Sequence, residues 1–442
     1  MTLYEELSPK QKRSIRRDIE LIISLKGLSF PKTIDEFKEI GFFPPSFKVK
    51  EREIYLSKDG QIALRRICDF IHQTKKYNDL LNYNDIFKVI IAEIERWINN
   101  KLIPDDAEFI EPLDLLLLKK IDNYTFFCRV EGILFENIDS IIIGKYEIKK
   151  YDPMLIFGIN DANDLTNVIK KEYGEALVII GTERGSKSVA QEKFYHNADL
   201  SLCVLGLYSC VLYDSAIRKL NIRLINNCAH AYGAASSFGW GNSERSLIFT
   251  RHFRSEQDMK IDQELMNYMS AECFFEMLSS LIGKEQNNDL ENAILKSLFW
   301  IGEAQKDRSH ASAWIKLWSS MECFFTLGDT EITELNAKGI SSILLYGGYS
   351  HQEFGNYDQL KKKIKKYYKL RSKVVHRAEY THIDAVLLDE FSFIAAWIII
   401  AMASLLDRGY TTLSQVQKEA VRLDGLGKKS NNQIQPTRFT RG

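Results

Sequence analysis

Residues Tyr368 to His382 read YKLRSKVVHRAEYTH. The stretch holds Arg371 and His376 with four residues between them, then repeats the spacing with Arg377 and His382. Upstream it continues as a basic helix: from Lys361 to Arg377 there are nine Lys/Arg residues and no Asp or Glu. At about 100° per residue, Leu360, Ile364, Tyr367, Val374 and Val375 share one face, and Lys362, Lys366, Lys369 and Lys373 share the opposite one. A face of one sign repels itself unless an anion visits it, and a phosphate backbone is the natural visitor. Arg371 falls on the apolar stripe, within about 20° of Leu360. A cation there either pairs with a buried carboxylate or faces an interface. Glu322, at the edge of the Trp314, Trp318, Met321 and Phe325 face of another helix, is the candidate partner.

Working outward, helical candidates follow one another from about Ile261. They are MNYMSAECFFEMLSSLIG, ENAILKSLFWIGEAQ, HASAWIKLWSSMECFFTL, ITELNAKGISSILLYG, the basic helix itself, and Ile383 to Leu406. Residues 256–424 therefore read as an all-α bundle, and residues 425–442, polar and basic without periodicity, as a disordered tail. Before the bundle, residues 121–255 read as mixed α and β. TFFCRVEGILFE, SIIIGKYEIKK, PMLIFGI and ALVIIGTE are short strand-like runs separated by turn residues. A helix from about Ser188 to Tyr213 follows, then strand-like IRLIN and SLIFTRHF. Residues 1–120 read as mostly helical, with runs from Pro9 to Lys26, after Ser57, and in YNDIFKVIIAEIERWINN, where Phe87, Ile90, Ile91 and Ile94 mark the apolar face. The fold class expected is α+β: mixed α/β N-terminal and middle regions, then a helical bundle.

Composition narrows the partners. Lys+Arg and Asp+Glu balance at 59 each, so attraction to a polyanion must come from a local patch. The seven cysteines are scattered and never spaced C-x-x-C, which reads as a reduced, cytoplasmic chain. MTLYEELSPKQKRSIRRD has no apolar signal core. The longest strongly apolar run without charge, Phe391 to Leu406, has sixteen residues against the ~20 that span a bilayer, so a buried helix is expected and no membrane partner. GTERGSKS (Gly181 to Ser188) follows a strand and opens a helix, but Ser186 stands where a phosphate-binding loop needs Gly before its Lys. A plain strand-to-helix turn is expected. His196, His230 and His252 are isolated, with no metal-ligand spacing and no G-x-S-x-G elbow nearby, so neither metal nor cofactor is expected.

YYKLRSKVVHRAE resembles the signature of the HEPN ribonucleases, specifically the ApeA-like branch, and AWIKLWSSMECFF resembles the upstream helix of that branch. The resemblance covers about 150 C-terminal residues. It favours Arg371 with His376 over Arg377 with His382; Thr381, with Asp384 three residues on, reads as the N-cap of the next helix. Many members carry Gly after the His, whereas this chain has Arg377. The resemblance implies a homodimer or higher homo-oligomer in which Arg371 and His376 of both copies line one cleft and cut RNA without a metal, with the apolar stripe of the basic helix as the dimer interface. Ser372 and Glu322 would support the site. Lys362, Lys366, Lys369, Lys373 and Arg377 would bind the RNA, with a tRNA loop a reasonable substrate. Because Arg371 and His376 stand about 140° apart on an unbroken helix, either the helix loosens near His376 or the site is completed across the twofold axis. The family's role implies antiphage defence or toxin-like growth arrest, with a phage-encoded trigger and a regulatory function for residues 1–255. The rival readings are a non-catalytic nucleotide- or RNA-binding module and a scaffold dimerising through Phe391 to Leu406.

Overall fold

A computed structural model describes residues 2–31, 33–40, 45–49, 52–100, 106–156, 165–174, 176–212, 222–224, 235–240, 247–252, 258–307, 309–326, 331–347, 356–377 and 383–429. Contacts divide the chain into two compact units, Met1–Phe126 with Thr182–Tyr195, and Phe127–Gly181 with His196–Gly442. The first unit runs α1 (Leu3–Glu6), α2 (Pro9–Ile23), β1 (Leu28–Ser29), α3 (Ile34–Ile40), β2 (Ser46–Val49), β3 (Arg52–Leu56), α4 (Lys58–His72), α5 (Tyr83–Asn100) and α6 (Asp106–Leu118). Ser8 opens α2 with a capping box to Gln11 and Pro9 at the first helical position, and Ser57 caps α4. On α5 the buried line is Ile86, Val89, Ile90, Ile94 and Trp97, so the core face is turned from the expected one and Phe87 and Ile91 flank it half-buried. The antiparallel β1-β3-β2 sheet was not legible, because its strands are only two to five residues long.

The middle of the chain gives β4 (Asp122–Glu131), β5 (Ile133–Phe135), β6 (Ser140–Ile143), β7 (Tyr146–Lys150), α7 (Leu165–Tyr173), β8 (Leu177–Gly185), α8 (Lys187–Leu212), β9 (Arg223–Leu224), β10 (Ala235–Trp240), β11 (Leu247–His252) and β12 (Met259–Ile261). The five-stranded sheet has the order β6-β7-β8-β4-β9, while β5 pairs in parallel with β12 and β10 with β11 antiparallel. The first part of PMLIFGI is not a strand: Pro153–Ile156 form a single 3-10 turn, in keeping with a Pro that cannot donate to a ladder, and Phe157 to Ile159 lie outside the described residues.

Among the described residues the second unit ends in eight helices: α9 (Gln263–Glu272), α10 (Phe275–Ser280), α11 (Asp289–Lys306), α12 (His310–Phe325), α13 (Ile332–Tyr346), α14 (Tyr357–Arg377), α15 (Ala385–Asp407) and α16 (Leu413–Lys429). The chain is thus mixed α+β with a helical C-terminal region. MNYMSAECFFEMLSSLIG is two helices rather than one, because Phe274 takes a left-handed conformation with φ of 56° between them. Helix α16 runs to Lys429, past Gly425 where the tail was expected to begin, and residues 430–442 lie outside the described residues. Helix α15 has 23 residues, longer than the sixteen-residue uncharged run because charged residues at both ends join it. It is the one helix among the described residues long and apolar enough to cross a membrane. Phe391 and all residues from Ile394 to Leu405 are buried, and the helix packs on α11, α12 and α13. Gly339 lets α13 approach α12: a Cβ there would stand 2.2 Å from the Phe325 ring.

Candidate functional site on helix α14

Helix α14 is held by an aromatic cluster on its inner side. Phe391 of α15 lies 4.3 Å from Trp314, 5.0 Å from Trp318 and 5.4 Å from Tyr367, between ring centroids. Leu360, Ile364 and Tyr367 are buried there, so this part of the apolar stripe of α14, expected at a dimer interface, is packed inside its own chain. Val374 is half-buried, and Val375, expected on the stripe, is 44% exposed because it sits on its margin near the helix end.

Arg371 sits beside this cluster, and its partner is the one the sequence named. Its Nη2 donates to Glu322 Oε2 of α12 at 3.3 Å. From the other side its guanidinium lies 5.5 Å from the centroid of the Tyr368 ring, itself edge-on to Trp318 at 5.3 Å. Tyr368 was missed, although its place one turn before Arg371 was a readable signal. The pair is made at one point only: Arg371 Nε and Glu322 Oε1 are buried without a hydrogen-bond partner. Burial raises the pKa of the Glu322 carboxyl above the usual carboxylate range, and the charge and hydrogen bond of Arg371 oppose that rise.

The nine cations of α14 sort into two sets. Lys361 and Lys365 reach Glu334 of α13 at 2.8 and 2.5 Å, Lys363 pairs with Glu390 of α15, and Arg371 with Glu322. Glu390 also accepts from the Tyr367 hydroxyl, and Asp424 of α16 accepts from Tyr357. Apart from Arg371 with Glu322, these ion pairs were not foreseen, because their acids lie 27 to 31 residues away in sequence. The outward set is Lys362, Lys366 and Lys369, all exposed, with half-buried Lys373 and exposed Arg377.

His376 is exposed and lies on this outward side, about 140° round from Arg371. The helix continues unbroken to Arg377, so it does not loosen at His376 and one chain does not bring the two side chains face to face. Ser372 is half-buried one residue past Arg371. Of the second pair, His382 lies outside the described residues, as does Thr381; α15 is capped not by Thr381 but by Asp384, whose carboxylate accepts from Leu387 N at 2.8 Å. Helix α15 therefore begins after His382.

The GTERGSKS turn is closed to a phosphate. Ser186 Oγ donates to Asp85 at 2.5 Å, and the Ser186 backbone N–H is taken by Leu80 O at 2.7 Å. A carboxylate already stands where an anion would bind at the start of α8. Among the described residues no cysteine is in a disulfide. Among the described residues no His, Cys, Asp and Glu side chains gather as a metal-binding group. In comparisons with known proteins, no protein-family model, no curated protein and no solved structure matches this chain.

Proposed function

We propose that the chain is an endoribonuclease of the HEPN type, acting without a metal in antiphage defence or toxin-like growth arrest. The observation that carries the reading is the build of α14: within R-S-K-V-V-H, Arg371 is fixed by Glu322 and Tyr368, and His376 stands among exposed cations. An imidazole titrates near neutrality and serves as a base toward the ribose 2′-hydroxyl. The 2′-oxygen attacks the adjacent phosphorus, the P–O5′ bond breaks, and the leaving oxygen takes up a proton. The products are a 2′,3′-cyclic phosphate and a 5′-hydroxyl. A guanidinium with a free N–H edge forks onto phosphate oxygens as their charge builds. Lys362, Lys366 and Lys369 hold the backbone. Because Arg371 and His376 diverge on one helix, a second copy completes the site.

That same divergence favours a second reading, a non-catalytic RNA-binding module in which Arg371 is a structural cation. A scaffold joined through Phe391 to Leu406 has less support, since most of that run is buried within the chain. End-labelled RNA incubated with the purified chain in the presence of a chelator tests the proposal. New 5′-hydroxyl and cyclic-phosphate ends, lost in both Arg371→Ala and His376→Ala, are the expected result. RNA that is bound yet left intact by the unaltered chain supports the second reading instead.

A further inference from the structure

Helix α2, far from α14 in sequence and in the first unit, carries its charges in an order that works against its own stability. A helix favours acids near its N-terminus and bases near its C-terminus. Helix α2 has no acid in its first turn and no base in its last. Lys10, Lys12, Arg13, Arg16 and Arg17 crowd its first nine residues instead. Ile15, Ile19 and Ile22 bury the opposite side. Lys10, Arg13, Arg16 and Arg17 are exposed and fall within an arc of about 120° at helical spacing.

The nearby acids do not balance this face. Asp18 is buried and held by Arg66 of α4 through hydrogen bonds of 2.6 and 3.1 Å, with Arg17 Nε no closer than 4.0 Å. Glu20 pairs with Arg16 at 3.3 Å, with both side chains more than half exposed. Lys12 lies over the Tyr4 ring, 3.7 Å from its centroid. Lys10, Arg13 and Arg17 are the surplus, on a chain whose net charge is zero.

From this we infer that α2 is a second polyanion-binding face, and that its occupant is the RNA backbone, held without regard to sequence. The choice of RNA rests on the function proposed above. The like charges crowded three and four residues apart on this face repel one another and become favourable once phosphates lie against them, and each phosphate neutralised releases counterions. The first unit then grips substrate through its own surface instead of serving only as a regulator.

The test uses the full chain carrying His376→Ala, so that RNA is not consumed, and a fluorescein-labelled single-stranded RNA of about thirty nucleotides. Anisotropy is followed over a salt series, with thermal melting as the check on folding. Adding Arg13→Gln and Arg17→Gln is expected to weaken binding about tenfold at low salt. The slope of log K against log salt should fall by about 1.4, at ~0.7 per phosphate contact, with melting no lower than in the parent chain. Arg13→Lys with Arg17→Lys should keep most of the binding. If the Gln pair binds normally while Lys366→Gln with Lys369→Gln does not, the α2 inference is overturned and the RNA reading stands. If the parent chain binds no RNA, both fall together. If phosphatidylserine vesicles bind through Arg13 and Arg17 while RNA binding is indifferent to them, the occupant is a membrane surface and the inference is wrong.

Discussion

Arg371 and Glu322 show why a charged residue on an apolar stripe is informative. The stripe position said that a partner or an interface was needed, and the structure supplies the partner from α12. Burial makes ionised Glu322 unfavourable, and Arg371 is the opposing influence. With its pKa raised in the folded state, Glu322 favours folding most below the ordinary carboxylate range, and that contribution is lost as pH rises through the raised value. The ion pair offsets this loss where Glu322 is ionised. Replacing Arg371 with Ala is therefore expected to cost about 1–3 kcal/mol at neutral pH and distinctly less in acid. Urea unfolding at the two pH values measures it, and an equal loss at both would mean that the pair does not carry the stability. The role of Glu322 as partner was legible from helical phase alone. The role of Tyr368 was not, since phase shows that a residue is near but not that its ring faces a guanidinium.

At the scale of elements, α14 is fastened by a charged edge and an aromatic floor. Glu334 binds Lys361 and Lys365, which hold its carboxyl down at about 2. A carboxylate depressed in this way contributes stability above its unfolded value of about 4.5, and the contribution disappears as pH falls toward 2. Glu334→Gln should lower stability at neutral pH, modestly since the group is about a third exposed, and the gap to the unaltered chain should close over that acid window. The aromatic floor contributes more. Phe391→Ala removes a fully buried ring shared by Trp314, Trp318 and Tyr367, and should cost about 3–5 kcal/mol in denaturant titration. The long helices were readable because α5, α12 and α14 each repeat an apolar face over four turns or more. Three kinds of feature escaped: strands of two to five residues such as β1 and β2, the left-handed break at Phe274, and the cap at Asp384. Each turns on one or two residues, too few for a period to register.

For the whole molecule, the proposed function draws its site from more than one chain. Helix α14 fixes Arg371 inward and His376 outward, so a composite cleft needs a second copy, and residues from different copies should complement. Mixing equal amounts of Arg371→Ala and His376→Ala chains should restore about a quarter of the cleavage if each site takes its Arg from one copy and its His from the other. No recovery would mean that each site draws both residues from one chain, or that no such site forms. The central claim is met most directly inside cells. The unaltered chain and His376→Ala are each induced, with and without phage challenge, and total RNA is sequenced for new 5′-hydroxyl ends. New ends that appear with the unaltered chain and vanish with His376→Ala are the predicted result, and their positions would name the substrate. Ends that survive the substitution, or that never appear under either condition, would contradict the assignment of His376 as the base.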